Sequence, residues 1–168
     1  MPDTFIKIAS VTVGSGGASS IDFTSIPSTY TDLCVKLSGR TNAASTVVDY
    51  IEIRPNGATT SITSRRIQGN GSAASSSNYA AMYLPVAGST ATSNTFGNAE
   101  IYIPNYAGSN FKSFSYDAVQ ETNATAAYAE LWAGLWSSAS AITSLIIGNS
   151  GANFVQYSTA TLYGIKNS

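Results

Sequence analysis

The run Asp32-Leu33-Cys34-Val35-Lys36-Leu37-Ser38 sets Leu33, Val35 and Leu37 alternately against more polar neighbours. That period of two belongs to a half-buried β-strand, not to a helix. The same vocabulary runs through the chain: Ile, Val, Tyr and Phe stand in short groups separated by Ser, Thr, Gly and Asn, so the whole sequence reads as all-β. Ile6, Ile8, Val11 and Val13 open the first strand, and Ile21 to Thr24 supply a short second one. Further strands are predicted over Val47 to Arg54, Ala80 to Leu84, Phe96 to Ile103, Phe111 to Gln120, Ala126 to Trp136, Ala141 to Ile147 and Phe154 to Ile165. Pro27, Pro55, Pro85 and Pro104 fall at the ends of these runs, where a missing amide donor does no harm. About nine or ten strands at this spacing predict an antiparallel β-sandwich of jelly-roll type.

The punctuation carries its own expectations. Asn56-Gly57, between Ile53 and Ile62, tolerates positive φ at both positions and predicts a tight hairpin. The two ends echo one another: Val13-Gly14-Ser15-Gly16-Gly17-Ala18 leads to Ile21 and Phe23, while Ile147-Gly148-Asn149-Ser150-Gly151-Ala152 leads to Val155 and Tyr157. Independent use of one turn chemistry explains this, and a pseudo-symmetric pair of terminal hairpins in one sheet is the alternative. Residues 68–78 read QGNGSAASSSN and lack large apolar side chains, which predicts a polar surface loop; a second is predicted near 88–95. Neither divides the chain, and all 168 residues are assigned to one domain. A chain of that length buries roughly 70% of its unfolded surface and needs no staples.

Composition excludes several function classes. Eight Lys plus Arg against nine Asp plus Glu give a net charge of -1, which removes the attraction to phosphate that nucleic-acid binding draws on. The chain contains no His, the commonest metal ligand and general base, and its single Cys34 has no disulfide partner within the chain. A His/Cys zinc site is excluded, no Asp-x-Asp-x-Asp-Gly calcium loop occurs, and no cofactor is expected. Met1-Pro2-Asp3-Thr4 precedes an alternating stretch and not a basic and apolar leader, so no secretory signal is predicted. The richest apolar stretch, Ala141 to Gly148, is far short of the ~20 residues that span a bilayer, and a soluble chain without a membrane partner is expected.

Catalysis finds little to work with. Lys7, Lys36, Lys112 and Lys166 are the available bases for a hydroxyl nucleophile, and none stands in a Ser-x-x-Lys pair. Cys34, inside an alternating strand with no imidazole, reads as an inert packed or interfacial thiol. Glycoside hydrolysis needs only two carboxylates, but Glu100, Asp117, Glu121 and Glu130 read as solvated strand residues that no motif joins into a pair. No phosphate-cradling glycine loop occurs. Asn70-Gly71-Ser72 and Asn123-Ala124-Thr125 match the glycosylation sequon and, with no secretory signal predicted, are expected to be accidental. The chain is therefore expected not to be an enzyme.

The aromatic residues are more informative. Trp132 and Trp136 share one face of a predicted strand, with Gly134 between them, while Leu131, Ala133 and Leu135 line the other. A strand apolar on both faces is either central to two layers or covered by a neighbouring chain; a sugar-stacking platform made by the two indoles is a third reading. Ten tyrosines suit partly wet interfaces. Arg40, Arg54, Arg65 and Arg66 are candidate polar anchors or ordinary solvated charges. The candidate interface or glycan-stacking residues are thus Trp132, Trp136, Arg54, Arg65 and Arg66.

Residues 20–33, SIDFTSIPSTYTDL, resemble a motif of small virion-associated proteins of tailed bacteriophages, particularly marine ones. The opening Ile8-Ala9-Ser10-Val11-Thr12-Val13-Gly14, the Ile-Arg-x-Asn-Gly turn at Ile53 to Gly57, Gly134-Leu135-Trp136 and the closing Leu162-Tyr163-Gly164-Ile165-Lys166 are similar to segments of those proteins. After the turn this chain has Ala58-Thr59-Thr60, where a more polar Asp and Asn-Tyr-Ser pattern is expected. The resemblance implies a non-enzymatic virion structural protein with a β-sandwich fold. It would act as a capsid decoration or cement protein, a homotrimer on the capsid surface binding across the major capsid protein or another virion protein. The alternative is a receptor-binding or carbohydrate-binding module on a tail fibre or appendage, with a host surface glycan as partner. A polysaccharide-cleaving enzyme is a third reading.

Overall fold

The structure is a computed structural model that describes residues 4–123, 126–148 and 151–166. Its strands are β1 (Phe5–Thr12), β2 (Ser20–Phe23), β3 (Asp32–Gly39), β4 (Val48–Pro55), β5 (Ile62–Gly69), β6 (Ala74–Tyr79), β7 (Tyr83–Ala87), β8 (Gly97–Pro104), β9 (Lys112–Gln120), β10 (Tyr128–Trp136), β11 (Leu145–Gly148) and β12 (Thr159–Ile165). They form one eight-stranded sheet in the order β1-β12-β3-β8-β9-β10-β5-β6 and one four-stranded sheet in the order β2-β11-β4-β7. All strand pairs are antiparallel.

The order has a simple origin. β1 pairs with β12, β2 with β11, β3 with β8 and β4 with β7, so the first four strands and their four partners make one long hairpin. Rolled up, alternate rungs of that hairpin fall into opposite sheets, which is the jelly-roll arrangement the sequence predicts. Two further hairpins are inserted into it. β5–β6 follows β4, β9–β10 follows β8, and the two join through β10 and β5 to extend the long sheet beyond β8. The all-β sandwich is as expected, but it has twelve strands among the described residues instead of nine or ten.

The two extra strands are β5 and β6. Residues 68–78, expected to be a loop, contribute their first residues to β5, turn at Asn70-Gly71 and continue into edge strand β6. Backbone pairing with β5 supplies the order that side-chain burial could not. Asn70 Oδ1 also accepts from the Ser72 and Ala73 amides at 3.0 and 2.7 Å. Asn56 and Gly57 do adopt positive φ (49° and 71°), and the Ala58 amide donates to Pro55 O at 2.9 Å, so the tight turn forms. It does not make the predicted hairpin: β4 lies in the short sheet and β5 in the long one. The echo at the chain ends is likewise no pair of terminal hairpins. Both segments cross from one sheet to the other, and they run side by side through the Ala18–Phe154 bridge; Asn149 and Ser150 lie outside the described residues. The segment near 88–95 is a loop, held by the Arg40 guanidinium, which donates to the carbonyls of Ser89, Ala91, Thr92 and Thr95 at 2.8 to 3.1 Å.

Between the sheets the body of the roll is filled by aliphatic side chains. Leu33, Val35 and Leu37 of β3 and Ile101 and Ile103 of β8 are buried with Ile51, Ile53, Leu84 and Val86 of the short sheet. Strand β7 spans β3, β8 and β9. Cys34 is wholly buried, paired across β3 with Tyr163 and Tyr102, and burial pushes its thiol pKa up. It is a packed thiol, with the thiolate disfavoured. No helix among the described residues is long and apolar enough to cross a membrane.

Candidate functional site

The short sheet has four strands against eight, so the extension built from β9, β10, β5 and β6 must cover its inner face in some other way. It does so with large side chains. Alternation along β10 turns Glu130, Trp132, Gly134 and Trp136 inward, where all are buried, and turns Ala129, Leu131, Ala133 and Leu135 outward, where all are exposed. Trp132 (1% exposed) stacks on Tyr116 of β9 with ring centroids 5.6 Å apart and planes within 12°. Tyr79, the last residue of β6, lies 5.3 Å from the Trp132 ring and meets Tyr83 of β7 edge-on at 5.5 Å. Gly134 leaves the gap that Met82 fills, since a Cβ there would approach Met82 Sδ at 2.6 Å and Phe114 Cβ at 3.3 Å.

An ion pair sits inside this aromatic shell. Glu130 is 4% exposed; its Oε1 accepts from the Tyr50 hydroxyl and its Oε2 from the Trp132 indole N–H, both at 2.8 Å. Arg66 places an Nη 3.6 Å from Glu130 Oε1 and donates to the Tyr50 hydroxyl at 2.8 Å. Its guanidinium lies 5.4 to 5.5 Å from the ring centroids of Tyr50, Tyr79 and Trp132, a cation–π arrangement on three sides. Its buried Nε has no hydrogen-bond partner. Burial raises the Glu130 pKa above its usual 4.5, a rise only partly offset by the hydrogen bonds from Tyr50 and Trp132 and by the Arg66 charge. Burial, then the Glu130 carboxylate, holds the Tyr50 phenol well above its normal range. Tyr50, Tyr79 and Tyr83 border a cleft of about 300 Å³ that straddles the two sheets. A second cleft, at the end of β9 and β10, is lined by Gly69, Asn70, Gly71, Gln120 and Tyr128, and the buried Gln120 amide there has no partner.

The outer face of the extension is different in kind. Leu131 (59% exposed) stands directly opposite Ile67 (62% exposed) of β5, with Val119 diagonal to it on β9 and Leu135 further along β10. Every outward residue of β10 is apolar, and the row across the sheet continues through Asp117, Glu100 and Lys36. Glu100 is directly opposite Asp117 and ion-paired with Lys36 on this open face. Among the described residues, no group of three or more His, Cys, Asp or Glu could hold a metal ion.

The five candidate residues therefore separate. Trp132 and Arg66 meet around Glu130. Trp136, 6% exposed, closes the core at the other end of β10. Both indoles are buried, as the core reading of this strand has it, and the alternative platform of two tryptophans does not exist in this conformation. Strand alternation divides the Arg65-Arg66 pair: Arg66 points into the cluster, while Arg65 is exposed and donates to its neighbour's carbonyl, Ser64 O, at 3.1 Å. Arg54 lies in the short sheet and pairs with Glu52 at 2.7 Å. Arg40 clamps the 88–95 loop. Glu130, expected on a solvated face, is instead the centre of the buried cluster, because it shares the inward parity of Trp132. That parity was the available signal: a charge in register with buried residues requires a buried partner. Tyr50, Tyr79 and Tyr83 carried no such signal, since a fold must bring three separate strands together before they form a cleft. Asn123 is described as a bend, and the rest of its sequon, Ala124-Thr125, lies outside the described residues. Compared with known proteins, the chain matches no family model, no curated protein and no solved structure.

Proposed function

We propose that this chain is a non-enzymatic structural protein of a tailed-phage virion, a decoration protein that binds across neighbouring capsid subunits. One observation carries the reading: the outer face of β5, β10 and β9 presents the exposed side chains of Ile67, Leu131, Leu135 and Val119 on neighbouring strands. A surface of that kind, rimmed by polar residues such as Arg65 and Asp117, suits a protein–protein contact. The motifs at residues 20–33, 53–57 and 162–166 supply the particle context. In this role the protein adds interface area between subunits, and its binding free energy appears as particle stability without a chemical step. Three copies around a local three-fold position is the assembly we favour.

The test is co-sedimentation of the purified chain with particles that lack it, comparing the natural sequence with Ile67→Lys/Leu131→Lys. The natural chain pellets with particles and the double variant stays in the supernatant. Equal binding by both, or by neither, overturns the reading.

A further inference from the structure

We propose that the cleft between Tyr50, Tyr79 and Tyr83 is a binding site for one neutral pyranose ring. It lies apart from the apolar outer face and does not depend on the role proposed for that face. Three half-buried phenol rings border it; Arg66 already lies over the Tyr50 and Tyr79 rings, so the C–H face of a pyranose would pack chiefly on the Tyr83 ring. At about 300 Å³ the cleft is at the small end of ligand pockets, which suits a single ring.

The polar groups match as well. The Tyr79 and Tyr83 hydroxyls make no hydrogen bond within the described residues, so both are free to donate to and accept from a sugar hydroxyl. The Tyr50 hydroxyl is fixed, donating to Glu130 and accepting from Arg66, and retains one lone pair. Aromatic cages also bind quaternary ammonium ions, but here Arg66 already occupies the cation position at 5.4 to 5.5 Å from Tyr50 and Tyr79. A second cation would find that position taken. Glu130 neutralises Arg66 in turn, which leaves no net charge to select an anionic ligand. A neutral ligand with an apolar face and several hydroxyls is what remains.

The experiment is saturation-transfer NMR on the full chain with the methyl glycosides of glucose, galactose, mannose and N-acetylglucosamine, and with choline as the cation probe. At least one glycoside is expected to bind in the millimolar range through its ring C–H protons, and choline is not. Tyr83→Ala, checked for folding by circular dichroism, should weaken that glycoside about tenfold through loss of one wall. If Tyr83→Ala does not fold, Tyr79→Phe/Tyr83→Phe keeps every ring and removes the two free hydroxyls, and it too should weaken binding. Absence of binding by all four glycosides, binding unchanged in the folded variant, or choline binding as tightly as any sugar overturns the proposal.

Discussion

Across β3 and β8 the long sheet lays its inner face on a second sheet; across β10 and β5 the same face meets a layer of tyrosine, tryptophan, arginine and glutamate side chains. The body follows the ordinary solution for a jelly roll, with aliphatic residues from both sheets interdigitating. Beyond β9, which β7 still covers, the extension has no strand of the second sheet to lie on, so it uses side chains long enough to reach where strands do not. Large rings close most of the space, and the Arg66–Glu130 pair is tolerated there because Tyr50, Trp132 and the surrounding rings satisfy or shield it. The outer faces differ in the opposite sense. Body strand β3 presents Lys36 and Ser38 outward, whereas β10 presents Leu131, Ala133 and Leu135. The lesson is that the inserted hairpins are not neutral padding. They bring the apolar surface and one wall of the cleft, Tyr79, while body strands β4 and β7 bring the other two, Tyr50 and Tyr83.

The largest effect expected is at the ion pair. Glu130→Ala leaves the Arg66 charge buried without its partner and should cost about 3–5 kcal/mol in chemical denaturation. Arg66→Met/Glu130→Leu removes both charges and should cost clearly less than Glu130→Ala alone; an equal cost would mean that the pair is not what organises the extension. Gly134→Ala should cost about 1–3 kcal/mol, because the new methyl displaces Met82 and crowds Phe114. A pH series isolates a different quantity, the cost of burying the Glu130 charge itself. A carboxyl whose pKa is higher folded than unfolded contributes stability that is complete below pH 4.5 and is lost as pH rises through the folded value. Denaturation of the natural chain, referred to Glu130→Gln at each pH, should therefore show a relative loss of stability as pH climbs above 4.5 and a plateau beyond the folded pKa. The smallest effect on the fold is expected outside: Leu131→Lys should change stability by no more than about 0.5 kcal/mol while weakening attachment to the particle.

Where a strand's identity rests on its own alternation, the sequence was readable. β3, β9 and β10 lie close to their predicted ranges, and the parity of β10 puts Trp132 and Trp136 on one face as expected. Pattern reading fails where pairing, not burial, makes the strand. β6, with Ala-Ser-Ser-Ser-Asn-Tyr, has no apolar rhythm and exists because β5 offers it a ladder. The Asn56-Gly57 turn shows the same limit at the next level. Its backbone chemistry is local and was legible, but the sheets its flanking strands join are decided by the rolled hairpin. At the site, Trp132 and Arg66 could be singled out as residue types, whereas their meeting point, Glu130, needed its inward parity to be weighed above its charge.

Under the virion role we propose, the outer face of the extension, and not its buried indoles, meets a neighbouring subunit. Cryo-electron microscopy of the virion tests it most directly. That role predicts density for this fold at ordered positions on the head, with β5, β10 and β9 turned toward a neighbouring subunit and Leu131 and Ile67 within contact distance of it. Density in which that face looks out to solvent, or density confined to the tail, would contradict it.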